Sequence, residues 1–186
     1  MGKKTSNLKL IGVGKLFKYE LNAGTYYTLS DSEQKIIIEM AETICKQDRS
    51  HFINNYKIDK NMSFFDMNKN GFGAELSFCR LTDSVFDSST IEKDNHFLKP
   101  DTILNNGLSV DIKTTIYYSG KLLVRIGKEK KPFDLYALMV GTFPTYRFCG
   151  YAKFDEIISE ENISDLGWGK GYMLPQHKLD KILNTF

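Results

Sequence analysis

The sequence predicts a mixed α/β (α+β) domain, in which a helix, a run of strands and then short helices surround a central mixed sheet. Three observations carry this. Apolar residues recur at helical spacing through 31–49, and strand-sized apolar runs bounded by turn residues recur between 97 and 153. The chain also has 186 residues, 41% of them hydrophobic, enough for one domain with a sizeable core. Thirteen Phe, ten Tyr and one Trp exclude a disordered chain. The absence of repeats and low-complexity tracts excludes solenoids and linkers. No run approaches the ~18 consecutive apolar residues of a membrane helix. The longest blocks, such as Tyr136–Val140, are strand-sized, so no membrane partner is expected.

In chain order, Leu16–Leu21 and Thr25–Leu29 flank Asn22-Ala23-Gly24 and predict a hairpin. Ser30 and Glu33 form an S-x-x-E capping box ahead of Ile36, Ile37, Met40, Ile44 and Cys45, predicting an amphipathic helix over 31–49. Residues 54–71, rich in Asn, Asp and Lys, read as a loop. These pieces make up an N-terminal extension, 1–70, ahead of a core at 71–160 and a tail at 161–186 that packs on the core. The core opens on Phe72, Leu76 and Cys79, a helical stripe whose small neighbours permit close packing on a sheet. Strands follow at Phe97–Leu104, Leu108–Ile116, Lys121–Ile126, Leu135–Phe143 and Tyr146–Lys153. Short helices are expected at 153–158 and 176–184.

Charge and cysteine usage narrow the function. The net charge of +2 is too small to argue for nucleic acid, but two segments are locally basic. Residues 1–20 carry five lysines against one acid, and 120–131 carry Lys121, Arg125, Lys128, Lys130 and Lys131 against Glu129. Cys45, Cys79 and Cys149 are odd in number and lack metal-site spacing, which predicts reduced thiols and a cytoplasmic chain. The opening Met1-Gly2-Lys3-Lys4 leads into polar residues, so no secretory signal is expected.

The chemistry concentrates in two adjacent strands, Lys99–Leu104 and Leu108–Thr115, joined by Asn105-Asn106-Gly107. Register decides whether they form a site. A two-residue turn at Asn106-Gly107 would send Asp101 and Asp111 to opposite faces. A three-residue loop closed by Gly107 in the left-handed region would pair Leu104 with Leu108 and set Asp101 opposite Asp111. A β-bulge near Pro100 could bring the same two acids together from another register. Convergence is the expectation, with Lys113 on the face of Asp111 while Val110 and Ile112 point the other way. Two carboxylates and an ammonium on one face suit a hard divalent cation. Without one, facing carboxylates repel and one holds a proton.

Pro100-Asp101, nine intervening residues and Asp111-Ile112-Lys113 resemble the PD-(D/E)xK nuclease superfamily. Glu75 resembles the acid this superfamily often carries on its first core helix. The resemblance spans about 72–160 and implies a restriction-endonuclease-like αβββαβ core. It further implies a Mg²⁺-dependent deoxyribonuclease, with Mn²⁺ as a substitute, from a restriction, recombination, repair or phage context. Glu75, Asp101, Asp111 and Lys113 would then be catalytic. Glu75, Asp101, Asp111 and the Ile112 carbonyl would hold metal, and Lys113 would assist the attacking water. DNA is the implied partner, along with a homodimer as a way of cutting two strands, in a bacterial or phage-infected cell. The pattern departs in one respect, because Lys121–Ile126 reads as a strand where the superfamily usually has a helix. The alternative function is a catalytically inactive nuclease-fold protein for DNA binding or assembly.

Lys121, Arg125, Lys128, Lys130, Lys131 and Thr115 are candidate phosphate contacts, since such contacts position DNA without reading sequence. Tyr117 and Tyr118 read as sheet residues. Gly167–Gly171 lacks the strand–helix context of a phosphate cradle, Trp168 and Tyr172 could stack on bases, and His96 could touch substrate. The three histidines have no metal-site spacing, and no nucleophile motif is present.

Overall fold

The computed structural model describes residues 4–5, 20–47, 62–88, 99–127, 133–165 and 169–186. A six-stranded mixed sheet forms its centre. The strands, in spatial order, are β1 (Lys4–Thr5), β3 (Tyr26–Thr28), β8 (Thr145–Lys153), β7 (Leu135–Thr142), β5 (Ser109–Thr115) and β4 (Thr102–Ile103). β5 and β7 run parallel, and every other pair is antiparallel. β7 is buried through Leu135–Val140, the near-continuous apolar run expected of a strand covered on both faces.

Its alternate residues enter two cores. Leu135, Ala137 and Met139 join Val110, Ile112, Phe72 and Leu76 on the helix side. Tyr136, Leu138 and Val140 join Leu122, Val124, Ile157 and Tyr172 on the other. That second face is covered by α3 (Phe154–Ile157) and by a three-stranded sheet of β6 (Leu122–Arg125), β10 (Lys170–Leu174) and β9 (Ile163–Asp165).

Two helices cover the first face. α1 (Asp31–Gln47) starts where the capping box places it: the Glu33 carboxylate accepts from the Ser30 amide (2.9 Å) and hydroxyl (2.8 Å). Ile37, Met40 and Ala41 are buried, whereas Ile36, expected inward, is exposed. α2 (Phe64–Thr82) corrects the loop expected over 54–71, of which 54–61 lie outside the described residues. Ser63 caps it by accepting from the Asp66 amide at 3.0 Å, so the Asp- and Asn-rich run from residue 63 is a helix start rather than a linker. The boundary drawn at residue 70 therefore falls inside one helix. Phe72, Leu76 and Cys79 are buried as their spacing predicts. Gly73 lets the helix close onto β8, because a Cβ there would collide with the Tyr146 ring and hydroxyl.

Two pairings differ from the sequence reading. β2 (Glu20–Asn22) turns away at Ala23-Gly24 and pairs with β11 (Ile182–Asn184) instead of with β3. The expected helix at 176–184 is a single 3-10 turn at Gln176–Lys178 followed by β11. Both errors have one cause, since two strands far apart in sequence satisfy each other's backbone groups. The strand expected at Lys121–Ile126 is present as β6 but belongs to the second sheet. No described helix is long and apolar enough to cross a membrane.

Candidate active site

The β4–β5 connection has the three-residue register. Thr102 pairs with Val110 and Ile103 with Ser109, the Leu104 amide donates to the Leu108 carbonyl (2.9 Å), and Gly107 adopts φ +86°. Only a residue free of Cβ strain closes such a loop at low cost. The ladder stops at Thr102. The Asp101 amide donates to the Val110 carbonyl (3.0 Å), so Asp101 and Thr102 share one partner residue, as at a bulge. Asp101 is consequently not a cross-strand neighbour of Asp111. Its carboxylate instead accepts from the Ile112 amide at 2.6 Å, taking the place of the next rung. Loop and bulge thus act together to deliver Asp101 to the backbone beside Asp111. The Ile112 carbonyl faces the same side of β5 as its amide, where β4 has already ended.

Val110 and Ile112 pack on the helix side, which turns Asp111 and Lys113 to the opposite face. Asp111 is buried, with 3% of its surface exposed. Lys113 Nζ lies 2.5 Å from Asp111 Oδ2 and keeps 30% of its side chain in solvent. Glu75 lies half-buried on α2, on the helix side of the sheet, between the buried Ala74 and Leu76. Burial, and then the Asp101 and Asp111 carboxylates, push the Glu75 carboxyl well above its ordinary range, against the opposing pull of Lys113. Burial disfavours the Lys113 ammonium, yet Asp111, Asp101 and Glu75 outweigh it and hold its pKa above the usual lysine value. Glu75 and Lys113 therefore each feel the charges of both aspartates and of one another. Cys79, one helical turn beyond Glu75, senses the same charges: burial above all, with Glu75 and Asp101, raises its thiol to about 11 although contacts from Ser84 and Thr102 oppose this.

Three carboxylates against one ammonium leave a partly buried excess of negative charge, and all the donors are oxygens. That donor set fits Mg²⁺ or Mn²⁺. Among the described residues, however, no three acidic, His or Cys side chains are gathered tightly enough to form a ready metal cluster. Lys113 is drawn onto Asp111, and Asp101 is spent on the Ile112 amide. Glu75, Asp101 and Asp111 are the side chains that could hold such an ion, with Asp111 engaged by Lys113 and Asp101 by the Ile112 amide in this structure.

The other candidates are dispersed. Thr115 shares the face of Lys113 on β5, and its hydroxyl accepts from the Tyr117 amide at 3.3 Å. Lys121 is exposed just ahead of β6, and Arg125 ends that strand. Lys128, Lys130, Lys131, His96 and Trp168 lie outside the described residues. Tyr172 is core rather than a stacking surface. Tyr117 and Tyr118 leave the sheet after Thr115 and stand exposed in a turn, a placement that strand patterning missed and that Ser119-Gly120 could have signalled.

The chain belongs to a family of unknown function, DUF5843, whose model matches residues 19–147. That span runs from just before β2 into β8 and contains Glu75, Asp101, Asp111 and Lys113. No curated protein and no solved structure matches the chain.

Proposed function

We propose that this protein is a Mg²⁺-dependent deoxyribonuclease of the restriction-endonuclease-like class. The observation that carries the proposal is the pairing of Lys113 with Asp111 next to the Asp101 carboxylate on the Ile112 amide, at the edge where β4 ends beside β5, with Glu75 on α2 within reach of their charges. The fold reading is supported by the order of helix α2, antiparallel β4–β5 and a strand running parallel beside β5. Among the described residues no helix intervenes between β5 and β7, a departure from the family pattern.

Glu75, Asp101, Asp111 and the Ile112 carbonyl would hold the ion, which when bound supplies Lewis acidity toward water and a phosphodiester oxygen. Ile112's amide fixes the Asp101 carboxylate in place, so its orientation costs nothing at the moment of reaction. Partly exposed Lys113 is the group able to leave Asp111 and donate to a phosphate oxygen as negative charge grows there. Exposed Lys121 would add a backbone-phosphate contact.

Incubation with plasmid, linear and branched DNA, with and without Mg²⁺ or Mn²⁺, tests this. Metal-dependent cleavage should fall by about 100-fold or more in Lys113→Ala and Asp111→Ala. Cleavage that persists unchanged in both variants rejects the site. The close Lys113–Asp111 pair favours a second reading, a nuclease-fold DNA-binding or assembly protein whose acids are neutralised internally. It requires salt-sensitive DNA binding with no cleavage under any divalent ion.

A further inference from the structure

We infer that the turn following β5 is a stacking platform for unpaired nucleotides, so that the substrate is single-stranded DNA or an unpaired stretch beside the cleaved bond. The inference deepens the nuclease reading and rests on it for the position of the cleaved phosphate. Tyr117 and Tyr118 are 61% and 73% exposed, and their chain position is set by the site strand itself. β5 ends at Thr115, two residues past Lys113, so the turn begins about 7 Å along the strand from the Lys113 backbone.

Two large aromatic rings in water are costly on a mobile loop, but this turn is pinned from three sides. The Tyr117 carbonyl accepts from the Gly120 amide at 2.8 Å. Gln176 spends its side-chain amide on the carbonyls of Tyr118 (2.9 Å) and Gly120 (2.8 Å). Gly120 sits so close to the Thr115 side chain that a Cβ would collide with it. Arg147 reaches in from β8, its guanidinium 4.5 Å from the Tyr118 ring centre. The ring is thus backed on one face by a cation, while its large exposure leaves area for a second stacking partner.

Charge matches that partner. Residues 116–127 contain Lys121 and Arg125 and no Asp or Glu. Arg147 under the Tyr118 ring and Lys121 directly after the turn place cations next to exposed rings on a fixed backbone, the elements of sequence-tolerant single-strand binding. A duplex cannot use them equally, since its base faces are already stacked on one another, and only an unpaired base offers a face to a tyrosine.

The test is fluorescence anisotropy of the full chain with a labelled oligothymidylate and with a duplex of the same length, in EDTA so that no cleavage occurs. The single strand should bind more tightly than the duplex. Tyr117→Ala and Tyr118→Ala should each weaken single-strand binding by about tenfold, while Tyr118→Phe, which keeps the ring, stays within about twofold. Tyr26→Ala, at an exposed tyrosine on β3, should change nothing. Circular dichroism verifies that each variant is folded. Single-strand binding indifferent to both alanine variants, or a duplex bound equally well, overturns the platform, and an absence of DNA binding assigns the rings to a protein partner instead. Set beside the Mg²⁺ and Mn²⁺ cleavage assay, a chain that binds through these rings in EDTA yet never cleaves with either ion sinks only the nuclease reading. A chain that cleaves but ignores both rings sinks only the platform.

Discussion

Asp101 is where the structural and chemical roles of the site can be separated. Its Oδ2 accepts from the buried Ile112 amide at 2.6 Å, a short bond to a charged acceptor that closes the end of the β4–β5 ladder. Asp101→Ala removes the acceptor and strands that amide away from water. Hydrogen bonds to charged groups contribute about 1.5–3 kcal/mol. At about 2–4 °C per kcal/mol for a chain of this size, Tm should fall by about 3–12 °C. Asp101→Asn keeps a carbonyl oxygen for the amide, removes a charge that Glu75 feels, and should remain within about 1 kcal/mol of the parent. Both variants lose a carboxylate and should lose cleavage. Thermal unfolding by circular dichroism at pH 7 without divalent ions, run alongside the DNA assay, measures the two effects separately. Equal destabilisation by Asn and Ala, or an Ala variant within about 0.5 kcal/mol of the parent, would refute the claim that this carboxylate replaces a ladder rung.

The two interior glutamates should give opposite pH signatures. Glu75 has its pKa raised by burial, Asp101 and Asp111, so the native state binds that proton more tightly than the unfolded chain does. Its contribution is full below the ordinary value of 4.5 and is lost as pH rises through the raised value. Glu75→Gln should therefore be more stable than the parent at high pH in urea titrations, and a parent that stays ahead throughout would contradict this. Glu33 is opposed by burial but held below its ordinary value by Arg80 (2.7 Å) and Ser30, so its contribution is present above 4.5 and lost as pH falls through the lowered value. Glu33→Ala, which also strands the Tyr27 hydroxyl, should cost about 1–3 kcal/mol at pH 7 by denaturant melt and much less in acid. Mg²⁺ at about ten times its Kd should stabilise the parent by about 1.4 kcal/mol, a rise of about 3–6 °C, and should leave Asp111→Asn unmoved. An equal rise in both would place the ion elsewhere.

Local physics was legible in the sequence, and partnerships made over long separations were not. The start of α1 follows from Ser30 and Glu33, and the presence of a turn between β4 and β5 from Gly107, which adopts positive φ. Burial of Phe72, Leu76 and Cys79 follows from helical spacing. What failed has a common source. Glu20–Asn22 carries no signal that its partner is Ile182–Asn184, because an isolated three-residue strand specifies no mate. The polar run after Ser63 reads as a loop by composition, yet the cap and packing against β8 make it a helix. At the site, spacing left a two-residue turn, a three-residue loop and a bulge near Pro100 as alternatives, because only the ladder itself shows that the loop and the bulge occur together, with Asp101 and Thr102 sharing Val110.

The site is best understood as a charge that three agents can discharge. Lys113 is drawn onto Asp111, the Ile112 amide holds Asp101, and Glu75 on α2 feels both aspartates as well as the ammonium, so that burial and their charge make its proton harder to remove. The amide is fixed by the backbone, but the proton and the ammonium are both movable. A divalent ion would compete with both, so ion affinity should rise with pH as Glu75 gives up its proton, and Lys113 would become available to an anionic ligand only once Asp111 had another counter-charge. That coupling links two events a nuclease needs together, ion binding and the release of a cation toward phosphate.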